Sequence, residues 1–100
     1  MKVIWTLPAK YRLKEIYFYY KYKASPAIAK KLVKNILQTT RTLSWHSKIG
    51  NSEKLLEHRN EEYRYLVKGN YKIIYKIIKT EIYITDVFDC RQNPKKINPE

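Results

Sequence analysis

The stretch EYRYLVKGNYKIIYKIIKTEIYITDVFDCRQNP, Glu62 to Pro94, decides the fold. Within it, Tyr71, Ile73, Tyr75 and Ile77 fall on one side of an extended chain, and Lys72, Ile74, Lys76 and Ile78 on the other. A period of two carried by β-branched and aromatic residues predicts a strand. Lys68-Gly69-Asn70 precedes it with residues that tolerate positive φ, which predicts a tight turn from an earlier strand. Lys79-Thr80-Glu81 then interrupts the apolar run ahead of Ile82-Tyr83-Ile84-Thr85-Asp86-Val87-Phe88. The reading is a three-stranded antiparallel meander with basic residues on one face, left by a charged segment from Asp89 to Lys96. The rest of the chain is expected to cover the meander's apolar face.

Working outward, Lys2 to Thr6 is short, apolar and β-prone, and reads as a first strand. Thr6 and Pro8 mark a helix start, and Ala9, Leu13, Ile16, Tyr17 and Tyr20 follow at helical spacing. Tyrosines lie both on and off that stripe (Tyr11, Tyr17, Tyr19, Tyr20, Tyr22). They serve either as a stacking platform for bases or as a core rim with hydroxyls in water. Ser25 and Pro26 open a second helix whose stripe is Ala29, Leu32, Val33, Ile36, Leu37, Thr40 and Leu43. So short a link predicts an antiparallel hairpin. From His46 to Glu61 periodicity is lost, so a connecting loop is expected, with a short strand or turn around Lys54-Leu55-Leu56. Its acidic residues Glu53, Glu57 and Glu61, with Glu62 after them, read as solvated surface, and the tail from Asn93 as irregular. The expectation is one α+β domain over residues 1–100, ordered β-α-α-β-β-β, with the hairpin packed on a mainly antiparallel four-stranded sheet.

Composition narrows the function. The chain has 100 residues, with 21 Lys plus Arg against 9 Asp plus Glu, a formal charge of +12. Such an excess attracts polyanions: nucleic acid, an anionic membrane surface or an acidic protein. Cys90 is the single cysteine and cannot form an internal disulfide, which predicts a reducing, cytoplasmic setting. No signal-peptide pattern is seen, and no apolar run approaches the roughly 20 residues of a membrane helix. Two scattered histidines, His46 and His58, give no metal-ligand spacing, and two glycines are too few for a phosphate-cradling loop. No cofactor is expected. What remains is cationic: Arg64 on one strand, Lys72 and Lys76 on the next, Arg91 just past the last. On one sheet face such side chains either share a phosphate or form an ordinary solvated surface.

Two segments carry a family resemblance. Tyr63-Arg64-Tyr65-Leu66-Val67-Lys68-Gly69-Asn70-Tyr71-Lys72-Ile73-Ile74-Tyr75 resembles the hairpin of the RelE/ParE superfamily, the toxins of type II toxin–antitoxin modules. Val87-Phe88-Asp89-Cys90-Arg91-Gln92-Asn93-Pro94 is similar to that superfamily's terminal motif. The resemblance implies a cognate antitoxin whose acidic or amphipathic segment wraps the toxin and neutralises it.

The superfamily divides by mechanism. RelE-like members cleave mRNA on the ribosome, which requires the 2′-hydroxyl deprotonated, the phosphate stabilised and the leaving oxygen protonated. Lys72 matches a basic position of that group, and Arg91 lies at or beside another. Tyr63 and Tyr65, however, stand about where those enzymes carry lysines, and no Tyr or His follows Asp89. The departures favour the ParE-like reading, inhibition of DNA gyrase by binding, over the ribonuclease reading. Outside the toxin class stands a basic module that binds nucleic acid and does nothing further. In the toxin readings Arg64, Lys72 and Arg91 are the expected functional residues, catalytic if mRNA is cleaved, or binding a gyrase surface or antitoxin carboxylates otherwise.

Overall fold

The computed structural model describes residues 1–56, 61–92 and 97. The chain runs β1 (Lys2–Trp5), α1 (Leu7–Lys23), α2 (Pro26–Arg41), a 3-10 turn (Thr42–Ser44), β2 (Asn51–Ser52), a second 3-10 turn (Lys54–Leu56), β3 (Glu62–Lys68), β4 (Tyr71–Ile78) and β5 (Glu81–Asp89). These strands form one five-stranded sheet in the order β1-β5-β4-β3-β2. β1 runs parallel to β5, and the other pairs are antiparallel. The sheet has one strand more than expected. Asn51 and Ser52 pair with Tyr65 and Arg64, and two residues are too few to carry a period.

The helix starts follow from their caps. Thr6 accepts a hydrogen bond from the Ala9 amide at 3.4 Å. It also donates its hydroxyl to the Ile84 carbonyl at 2.8 Å, and its own amide to the same carbonyl at 3.1 Å. One residue therefore ends the β1–β5 ladder and begins α1. Ser25 caps α2, accepting from the Ile28 amide at 3.1 Å, with Pro26 in the first turn.

The alternation of β4 sorts its residues into two cores. Tyr71, Ile73 and Tyr75 pack under the hairpin with Ala9 and Ile16 of α1, Ile36 of α2, Leu43, and Ile82, Ile84 and Val87 of β5. Ile74 points the other way and is buried with Leu56, Tyr63, Phe88 and Ile97. The outer face of the sheet is thus not simply solvated. A second, smaller core covers it, and Ile97 brings a tail residue back onto it.

On β5 the core residues step from Ile84 to Val87, a spacing that strict alternation forbids. A bulge resolves this: Ile84 stands opposite Tyr75 and Asp86 opposite Ile74, leaving Thr85 as the extra residue. The bulge also allows Asp86 to reach α1, where its carboxylate meets the Arg12 Nε at 3.0 Å with only 2% of the Asp86 side chain exposed.

The loop before β2 is fixed from inside the core. Tyr75 is fully buried, yet its hydroxyl accepts from the Gly50 amide at 3.0 Å and donates to the Ser47 carbonyl at 2.8 Å. A Cβ at Gly50 would lie 2.5 Å from the Tyr65 carbonyl oxygen and 2.7 Å from the Tyr75 hydroxyl. Glycine is required here for close approach. Gly50→Ala is expected to lower unfolding free energy by about 2–3 kcal/mol, as overpacking against backbone does. Urea denaturation checks this, and an unchanged midpoint would mean that the loop is not held as described.

Candidate functional site

The cations of the sheet can be followed one at a time. Lys72 lies on the outer face, paired in register with Val67 and Phe88. Its ammonium donates to Glu53 at 2.9 Å and stands 4.3 Å from the centre of the Tyr65 ring. Glu53 is no solvated residue, since only 2% of its side chain is exposed. The Glu53 amide donates to the Tyr63 carbonyl at 2.9 Å, which seats the carboxylate beneath Lys72 at the start of the second 3-10 turn. Lys76, two residues further along the same face, meets Glu61 at 2.8 Å and lies 6.0 Å from the Tyr63 ring. Glu57 and His58 lie outside the described residues.

Arg64 faces the other way. It is opposite Tyr75 on the hairpin side, where its guanidinium donates to the Gly50 carbonyl at 2.8 Å and pairs with Glu62. It holds the loop against β3. Arg91 lies beyond the far end of β5, also toward the hairpin. It grips Asp89 through two side-chain bonds of 2.9 and 2.8 Å, and its amide donates to the same carboxylate at 2.9 Å. The three expected site residues therefore do not form one basic face. Lys72 is on the outer side of the sheet, while Arg64 and Arg91 are on the hairpin side at separate strands.

Each of these cations has an internal carboxylate partner, and the electrostatics follow. The Arg91 guanidinium holds Asp89 below the usual carboxylate range and is itself raised by the pairing. Burial, with help from the Tyr20 hydroxyl, pushes the Tyr71 phenol up and keeps it protonated. Burial raises Tyr75 as well. A cleft of about 300 Å³ opens between α1 and the end of β5, bounded by Arg12, Ile16, Tyr19, Tyr71, Phe88 and Arg91. Its two arginines are already engaged with Asp86 and Asp89.

The helical hairpin differs. Lys10 and Lys14 of α1 and Lys30, Lys31 and Lys34 of α2 make no ion pair among the described residues. Between the helices runs an apolar groove of about 500 Å³, lined by Leu13, Tyr17, Val33 and Leu37 with Trp5 at one side and Lys10 and Lys14 at its rim. Among the described residues no group of three or more His, Cys, Asp and Glu is placed to hold a metal ion. No described helix is long and apolar enough to cross a membrane.

Comparison with known proteins now adds to this geometry. The family model described as the ParE toxin of the type II toxin–antitoxin system, parDE, matches residues 3–94. The chain belongs to the ParE toxin family. A solved structure entitled the chromosomal ParDE toxin–antitoxin system from P. aeruginosa is similar in fold, with a TM-score of 0.73. The two are 21% identical, over 89% of this chain and 95% of that one. No curated protein matches the chain.

In this ParE-family toxin the cationic positions were legible in sequence, but their counterions were not. Glu53 is 19 residues from Lys72 and sits in a loop without periodicity. Only Glu62, two residues before Arg64, and Asp89, two residues before Arg91, were near enough to suggest pairs. The hairpin groove was hidden for another reason: apolar and charged residues are spread around α1 without one dominant apolar side, so its sequence does not say which sides are covered.

Two measurements check these assignments. Lys72→Ala leaves the buried Glu53 carboxylate without its ammonium, and a loss of about 3 kcal/mol is expected in denaturant unfolding. Replacing both partners, Lys72→Met with Glu53→Leu, should recover most of it. For Asp89 the folded-state pKa is depressed, so its stabilising effect is complete above the unfolded value and fades as pH falls through the folded one. Below about pH 4 the wild-type Tm should therefore fall more steeply than that of Asp89→Asn, and parallel curves would remove the pair as a stabilising element.

Proposed function

We propose that this toxin acts by binding DNA gyrase and inhibiting supercoiling, and that a cognate antitoxin neutralises it by occupying the hairpin. The observation that carries the reading is the pairing of the sheet cations. Lys72 with Glu53, Lys76 with Glu61, Arg64 with Glu62 and Arg91 with Asp89 each place a carboxylate where an RNA-cleaving site would bring a phosphate. At Lys72, whose partner Glu53 is only 2% exposed, displacing the buried carboxylate from the ammonium costs several kcal/mol, which disfavours a phosphate as the replacement there. A surface built to dock a protein has no such requirement.

The antitoxin reading rests on the groove between α1 and α2. Its walls are apolar, its rim is lysine, and α2 carries no acidic residue. An acidic amphipathic segment complements both features. The similar P. aeruginosa structure is entitled as a toxin–antitoxin system, which agrees with such a partner.

The deciding experiment uses one preparation of purified toxin in two assays. The expected result is loss of supercoiling by gyrase, with mRNA on translating ribosomes left intact. The paired substitution Lys72→Gln with Glu53→Gln, which removes both charges, should inhibit gyrase as the wild type does. Cleavage of mRNA within the ribosomal A-site codon, abolished by that substitution, would overturn the proposal in favour of a ribonuclease.

A further inference from the structure

Helix α1 is apolar on two opposite sides. Ala9 and Ile16 are buried against the sheet. Directly away from them, Tyr11, Phe18 and Tyr22 are 58%, 40% and 80% exposed. Spacings of seven and four residues return to one side of a helix and set the rings about 10 and 6 Å apart along its axis. Lys14 and Lys23 border the same shallow depression, and the Lys21 ammonium lies 5.8 Å from the centre of the Phe18 ring. None of these three lysines makes an ion pair among the described residues. Glu15, the one carboxylate on this face, lies 3.9 Å from Arg12.

We propose that this face of α1 binds single-stranded nucleic acid, with Tyr11, Phe18 and Tyr22 stacking on bases and Lys14, Lys21 and Lys23 neutralising phosphates. Three considerations select this occupant. Cations without counterions call for a polyanion, and a second copy of the same face would meet like charge with like charge. The surface is a single convex helix, whereas a partner helix is better served by the groove on the α2 side. Protein interface centres are depleted in lysine, while aromatic rings interleaved with cations are the pattern that binds single strands with little sequence preference. The inference does not depend on gyrase being the target.

Fluorescence anisotropy with purified toxin and a labelled oligothymidylate of about 12 nucleotides tests it. Neutralising three phosphates implies an affinity that drops roughly twentyfold between 50 and 200 mM salt. Tyr11→Leu and Tyr22→Leu keep an apolar, helix-favouring side chain but remove the stacking ring, and each should weaken binding about tenfold. Tyr22→Phe retains the ring and should bind as the wild type does. Leucine variants that bind as tightly as wild type would overturn the proposal, because charge alone would then explain the affinity. So would an oligoglutamate of equal charge that competes as well as the oligonucleotide, which would mark the face as a protein-docking surface.

Discussion

The hydroxyl of Tyr75 is the constraint on which the rest of the structure depends. A tyrosine in the middle of a central strand must either keep its oxygen in water or give it partners, because a buried hydroxyl without them costs on the order of 1–3 kcal/mol. Here the ring crosses the main core and the oxygen bonds the backbone of Ser47 and Gly50. That anchor draws the loop against β3, so that Asn51 and Ser52 can pair with Tyr65 and Arg64. The next residue, Glu53, then arrives beneath Lys72. One oxygen atom in the core thus decides which charges on the outer face are neutralised.

Seen this way, the +12 charge separates into two populations. Arg64, Lys72, Lys76 and Arg91 are locked to carboxylates supplied by the β2–β3 region and by β5, and they act as parts of the framework. The lysines of the hairpin make no ion pair among the described residues and generate the field that an approaching molecule feels. A toxin that must be captured tightly by an antitoxin and still reach a target gains from keeping these roles on separate surfaces. Changes to the hairpin can then tune association without loosening the sheet.

Much of the architecture was legible in the sequence, for physical reasons specific to each element. The period of two from Tyr71 to Ile78 placed β4, and the Gly69-Asn70 turn placed β3 beside it. Thr6 with Pro8 and Ser25 with Pro26 marked both helix starts. What escaped depended on long-range contact. The two-residue β2 depends on the Tyr75 hydroxyl and the Arg64 guanidinium holding its loop, and the second core needs Ile97 and Leu56 brought to Phe88 from distant positions. Arg64, Lys72 and Arg91 were expected to form one functional face, but alternation sends Arg64 to the face opposite Lys72. The distinction between a shared face and separate ones is a matter of register, which the sequence pattern specifies only once the strand pairing is known.

The parallel pairing of β1 with β5 also bears on synthesis of the chain. Val3 is hydrogen-bonded in register beside Ile82, so the first strand made has no neighbour until nearly the whole domain has been translated. At about 5–20 residues per second that wait is on the order of 4–16 s. Thr6 makes the dependence sharper, since the residue that caps α1 is itself tied to the Ile84 carbonyl. The β3–β4 hairpin can pair before β5 is made, but β1 can join the sheet only after it, so the sheet is completed from its last strand back to its first.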